Sequence, residues 1–301
     1  MLDNNDTFTE WFAKILPEIP VRLEIRHSSR VPGGIRRECS GIEDVLSCYR
    51  WRAEWLDIHG LPHKSESWVE TQESLFELRA WLAESISQTS CDSQFLKACE
   101  AVIRWGGGAR SGHNGAKGFV LSKAKDGKLR DYFARAKKAM RLDSAQAIRG
   151  IETMNAMLIK IHSLLSDDGL PIYDSRVAGA AGALVELYCR SNGNNEDQGK
   201  LPQFPSTDEN RRISRLIENC RVSEIIRYRS TGYATKWASA AVALGHLFRD
   251  ALVLRPDLFD KLEGLSNRMH ALEAAMFMIG SDLNSLRPAF AAYSRTPVEW
   301  T

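Results

Sequence analysis

Apolar residues recur at three- and four-residue spacing along nearly the whole 301-residue chain, a period that leaves little room for an extensive β-sheet. The spacing predicts helices near 41–59, 67–86, 92–104, 128–141, 154–166, 174–190, 207–220, 233–253 and 267–279. Alanine-rich runs at 178–183 and 238–243 suit close helix–helix contact. Strand-like alternation is confined to the short run Val21-Arg22-Leu23-Glu24-Ile25-Arg26, and the segments 27–38, 105–118 and 191–206 read as loops. There is no internal repeat. The expected fold is mostly α, a compact multi-helix arrangement with minor strand content near the N-terminus. Residues 1–90 form an N-terminal helical region ahead of a core over 91–301, or the two make one continuous domain.

Composition removes several classes. With 44% hydrophobic residues and 8 Trp, 11 Phe and 7 Tyr, the chain is too apolar for wholesale disorder. No uninterrupted apolar run approaches the roughly 20 residues of a membrane span, and the acidic, polar start Met1-Leu2-Asp3-Asn4-Asn5-Asp6 is unlike a secretory signal. The six cysteines (Cys39, Cys48, Cys91, Cys99, Cys189 and Cys220) form no C-x-x-C pair and lack zinc or iron–sulfur spacing. The expectation is reduced thiols in a monomeric cytoplasmic protein, without metal or cofactor.

The formal charge of +2 conceals an uneven distribution. Between 104 and 141 there are eleven basic residues, Arg104, Arg110, Lys117, Lys123, Lys125, Lys128, Arg130, Arg135, Lys137, Lys138 and Arg141, against only Asp126 and Asp131. Such a block is either a solvated face or a surface for a polyanion. The Gly-rich run Trp105 to Gly115 favours the second reading. Its glycines admit close backbone approach, and Arg110, His113 and Asn114 suit phosphates or base edges. No nucleotide-binding glycine motif is present.

The stretch 149–177 carries the chemistry. It reads as a helix ending near Arg149, a tight turn at Gly150, a second helix bearing Lys160, and a loop after which Asp174 opens a third helix. An aspartate there is first of all an N-cap, its carboxylate accepting the free amides of the first turn.

The run Pro171-Ile172-Tyr173-Asp174-Ser175-Arg176-Val177, with Lys160 fourteen residues upstream, resembles the helix-hairpin-helix DNA glycosylase superfamily, in particular its 8-oxoguanine-glycosylase-fold branch. The resemblance covers about 30 residues, with weaker similarity at Arg104-Trp105-Gly106-Gly107 and Lys236-Trp237-Ala238-Ser239. It implies that Asp174 is the catalytic aspartate and that Lys160 stands where bifunctional members place a Schiff-base lysine. The usual Leu-Pro-Gly-x-Gly hairpin is replaced by Arg149-Gly150-Ile151. In type the chain is also similar to bacterial anti-phage glycosylases that remove glucosylated hydroxymethylcytosine from phage DNA.

A carboxylate at Asp174 would stabilise the positive charge that builds on a sugar as its base departs, and would orient water. Lys160 would serve as a nucleophile only if burial, for example among Ile159, Ile161 and Leu164, lowered its pKa. Excision requires extrusion of the nucleotide, with Trp105, Tyr173 and Trp237 as candidates for the base pocket and Phe119 as a further aromatic. Arg104, Arg110, His113, Asn114, Lys117, Lys137, Lys138 and Arg149 are the candidate contacts to double-stranded DNA. The bland alternatives are core aromatics, a core histidine at His162 and a solvated basic face. At the level of function they are 8-oxoguanine repair, a catalytically silent DNA-binding module and a helical interaction protein.

Overall fold

The computed structural model describes residues 7–87, 92–107, 115–144, 146–192, 201–222 and 224–300. Within these, eleven α-helices and two small antiparallel hairpins make a mostly helical protein. Helix α1 (Phe8–Ile15) is started by a capping box in which Thr7 and Glu10 satisfy each other's backbone amides. It turns Phe8, Trp11 and Phe12 inward, where Phe12 stacks on Phe248 and Trp11 meets Tyr188 edge-on. One hydrophobic core therefore runs from Phe8 to Phe290, and the first 90 residues contribute to it directly.

Strand β1 (Pro20–Ile25) matches the predicted alternation, with Val21 and Leu23 buried. Its partner β2 (Ile35–Ser40) overlaps the expected loop 27–38. The region 41–59 is only briefly helical, in α2 (Ile42–Ser47). It continues into β3 (Ala53–Leu56), paired with β4 (Pro62–Ser65). The reason is local: Ala53 and Trp55 point inward around exposed Glu54, a period of two, and Asp57 Oδ1 accepts from the amides of His59 and Leu61 to close the turn.

Helices α3 (Trp68–Ser87), α4 (Ser93–Gly107), α6 (Leu129–Ala139), α7 (Leu158–Leu165), α8 (Ser175–Ser191), α9 (Tyr233–Leu254) and α10 (Leu265–Ile279) lie where the apolar spacing places them. Between α4 and α6 stands α5 (Ala116–Lys125), which spacing misses because it buries only Ala116 and Val120. The short α11 (Arg287–Tyr293) ends the helical series. Helix α9 has the length and hydropathy of a membrane span, yet more than half of it is buried against the core. The described cysteines are free thiols, and Cys91 lies outside the described residues.

Two expectations are corrected. The segment 207–220 is not a helix but irregular chain with one short turn at Ile213–Arg215. Side chains replace the helical ladder at its far end: fully buried Glu186 accepts from the amides of Arg221 and Val222 at 2.8 and 3.2 Å. Nor does a helix end near Arg149. Helix α6 stops at Ala139, and Leu142 is docked by its amide on Asp168 and by its carbonyl on His246 and Arg249. Gly150 does turn with φ +77°, but inside the irregular connection to α7 rather than between two helices.

The start of α8 meets the end of α10 at Gly280, where a β-carbon would stand 1.9 Å from the Arg176 carbonyl oxygen. Only glycine permits that approach, and it fixes the depth at which the first turn of α8 sits.

His162, on α7, is in the core as the bland reading expected, against Phe133 at 4.9 Å, but neither ring nitrogen has a hydrogen-bond partner. Burial pushes its pKa down to about 3. The folded protein therefore excludes a proton that the unfolded chain takes up near pH 6.5, so stability is complete above that pH and falls as pH drops toward 3. Relative to His162→Leu, the wild type should lose roughly 3 kcal/mol between pH 7 and 4, measured by urea unfolding of both proteins.

Candidate active site

Lys160 and Asp174 converge. The run Leu158–Leu165 is apolar on nearly every side, so α7 is buried all round and carries Lys160 into the interior with it. The helix is started by Asn155, whose side chain accepts from the amides of Met157 and Leu158. Asp174 caps α8 as its type predicts, Oδ1 accepting from Arg176 N at 2.9 Å and Val177 N at 3.1 Å. Its other oxygen, Oδ2, stands 3.8 Å from Lys160 Nζ, and the amine also donates to the Ala156 carbonyl at 3.0 Å. Both residues are less than one-tenth exposed.

The pair opens on a cavity of about 110 Å³. Tyr49, Trp51, Trp68, Trp105 and Phe277 supply aromatic walls, while Arg176, His270 and Glu273 add polar groups. Gly106 lets Lys160 pass: a β-carbon there would lie 2.5 Å from Lys160 Cδ and 3.1 Å from Met157 Sδ. Burial pulls the Lys160 ammonium below its ordinary pKa, and the carboxylates of Asp174 and Glu273 oppose that shift. The condition for a nucleophilic amine, a lowered pKa, is thus met in direction.

The loop that presents Asp174 is held from behind. Glu273 Oε2 accepts from Ile172 N at 2.9 Å and from His270 Nδ1 at 3.2 Å. Arg79 approaches the other imidazole nitrogen at 2.7 Å and can only donate, so Nε2 is the acceptor and the proton resides on Nδ1. Arg79 therefore donates to His270, and His270 and the Ile172 amide both donate to Glu273, a hydrogen-bonded chain that reaches the backbone two residues before Asp174.

Of the aromatics proposed from sequence, Trp105 lines the cavity, whereas Phe119, Tyr173 and Trp237 do not. Tyr173 is fully buried, its hydroxyl donating to the Pro205 carbonyl and its own carbonyl accepting from Trp237 Nε1 at 2.7 Å. These two rings fix the loop against α9 instead of facing a ligand. The cavity aromatics Tyr49, Trp51, Trp68 and Phe277 lie far from the motif in sequence, and no local pattern marks them.

The basic block is partly engaged in ion pairs. Six of its residues are engaged by carboxylates: Arg104 by Glu54, Lys117 by Glu100, Lys123 by Glu152, Arg130 by Asp92, Lys137 by Asp167 and Arg141 by Asp143. Arg104 and Lys117 face a separate groove of about 480 Å³ with Lys97, Glu100 and the β3–β4 turn. Lys125, Lys128, Arg135 and Lys138 are exposed and have no ion pair among the described residues, and Arg149 is exposed as well. Arg110, His113 and Asn114 lie outside the described residues.

Comparison with protein-family models, with curated proteins and with solved structures gives no match to this chain. The site must therefore be read from its own geometry.

Replacing Gly106 by alanine should displace the Lys160 amine while sparing the fold, since the nearest atoms belong to side chains. The expected result is increased acylation of Lys160 by a water-soluble reagent, read by mass spectrometry, with a melting temperature within a few degrees of wild type.

Proposed function

We propose that the protein is a DNA glycosylase that extrudes a modified base from double-stranded DNA and hydrolyses its N-glycosidic bond, leaving an abasic site. The observation that carries this reading is the buried approach of Lys160 to Asp174, 3.8 Å apart, at the wall of an aromatic cavity. A separately stabilised dry cavity of about 150 Å³ holds benzene, so a space of about 110 Å³ suits one ring better than two. That size favours a single-ring base over 8-oxoguanine within the cavity, with the glucose of a glucosylated hydroxymethylcytosine, itself too large for the space, lying outside it. Together with the resemblance to anti-phage glycosylases, it supports glucosylated hydroxymethylcytosine in phage DNA, and hence a defensive role in the cytoplasm.

In the hydrolytic route the water oxygen attacks C1′ as the bond to the base breaks, and the bonding pair leaves with the base. Asp174 Oδ2 accepts a proton from the water, and the departing base is protonated in turn. Oδ1 keeps its two backbone amides throughout, so the carboxylate is already oriented before the charge develops. Ammonium or amine at Lys160 would sit on the same side of the sugar.

One observation favours a second route at the same site: the lowered Lys160 pKa. There the amine itself attacks C1′, the base departs with the bonding pair, and one amine proton passes to Asp174 and on to the base. The nitrogen lone pair then expels O4′, which takes up the remaining N–H proton, and an imine joins Lys160 to C1′.

Duplexes containing glucosylated hydroxymethylcytosine or 8-oxoguanine, assayed for abasic sites, decide the matter, and release of neither base would sink both substrate readings. Asp174→Asn should lower excision by about 100-fold or more. Borohydride should trap wild type on DNA only if the amine route operates, and Lys160→Ala should abolish the trapped species.

DNA binding should depend moderately on salt. With four exposed cations in the block not engaged by carboxylates among the described residues, log K against log salt should have a slope of about −4. A slope near −10, as eleven phosphate contacts would give, would contradict the neutralised surface.

A further inference from the structure

Cleavage at C1′ leaves Arg176 without a task, although its placement is unfavourable. It lies in the first turn of α8, where the helix dipole opposes a cation. Burial pulls its pKa down, and its Nε has no hydrogen-bond partner. The guanidinium carbon lies 4.7 Å from the Trp51 ring and 4.9 Å from the Phe277 ring. Those two rings are themselves in edge contact, with centroids 5.0 Å apart and planes at 87°. They hold the guanidinium by its faces and supply no acceptor for its in-plane N–H groups.

Two more buried donors without an acceptor, Trp68 Nε1 and Trp105 Nε1, belong to the same cavity wall. Buried polar groups are nearly always paired in folded proteins. Three donors without acceptors around one cavity therefore point to a ligand that brings acceptors. On α10, one turn before Phe277, Glu273 offers the opposite chemistry. Its Oε2 is taken by Ile172 N and His270, and an ionised carboxylate can only accept.

We propose that Arg176 and Glu273 read the pairing edge of the extruded base and select cytosine-type bases. The proposal rests on the glycosylase reading. Arg176 donates to the adjacent acceptors O2 and N3, and Glu273 accepts from the exocyclic amino group at C4. Uracil and thymine present an N3–H to the guanidinium and a carbonyl to the carboxylate, a mismatch at both positions. Adenine offers an acceptor beside an amino group, but its second ring exceeds a cavity of about 110 Å³. The C5 position of cytosine lies on the edge away from O2 and N3, so a bulky substituent there is compatible with this reading.

The test separates recognition from cleavage. Oligonucleotide duplexes carry hydroxymethylcytosine or hydroxymethyluracil on a 2′-fluoro sugar, which resists glycosidic cleavage, each opposite an abasic site so that neither base is paired. The full-length chain should bind the cytosine probe about 100-fold more tightly, the scale on which sites built around hydrogen bonds reject mismatched analogues. Arg176→Met, which keeps an apolar stem between Trp51 and Phe277, should bind both probes alike. Equal binding by the wild type, or an unchanged preference in a folded Arg176→Met, overturns the assignment. Base release is scored in parallel from unfluorinated duplexes that carry glucosylated hydroxymethylcytosine. Preference for the cytosine probe without release refutes the glycosylase reading and keeps the readers, while release with equal binding does the reverse.

Discussion

The Asp174 carboxylate divides its two oxygens between backbone and side chain, and the rest of the site is arranged around that division. Oδ1 is spent on the first amides of α8, which fixes the carboxylate in space, while Oδ2 is turned toward Lys160. Helix capping and charge placement are the same interaction here, because an anion at a helix N-terminus satisfies free amides and meets the positive end of the dipole. Gly280 sets how deep the first turn of α8 lies, and Glu273 pins the loop before it through Ile172. Gly106 leaves room beside α4 for the Lys160 stem that reaches toward that carboxylate.

Much of this was legible in the sequence, for identifiable reasons. Long amphipathic or wholly apolar segments such as those of α3, α8 and α9 announce their period, and Asp174 announces itself as a cap. Where the pattern misled, satisfaction of the backbone lay outside the local period. The chain over 207–220 has a helical spacing but is irregular, and just beyond it buried Glu186, on another helix, takes the amides of Arg221 and Val222. The expected helix before Gly150 is cut short because Leu142 is bound at both its amide and its carbonyl by distant residues. The cavity aromatics were illegible for a related reason: Tyr49 and Phe277 meet only after the chain has folded.

Charge shows the same dependence on folding. A window rich in lysine and arginine predicts a strongly positive surface, but charges are neutralised in space and not along the chain. Glu54, Asp92, Glu152 and Asp167 come from outside the window to meet its cations. What remains exposed is a smaller set on and beside α6, in which Lys128, Arg135 and Lys138 recur at helical spacing. A modest positive stripe binds a phosphate backbone loosely enough for the protein to leave it again.

The cavity draws its parts from two sources. Lys160 and Asp174 come from the stretch 149–177, whereas three of the five aromatic walls, Tyr49, Trp51 and Trp68, come from the region around the β3–β4 hairpin. None of those three side chains takes part in the hydrogen bonds that cap α8 or start α7. On the proposed reading, variation confined to that N-terminal stretch would change which substituent the cavity admits while Lys160 and Asp174 stay in place.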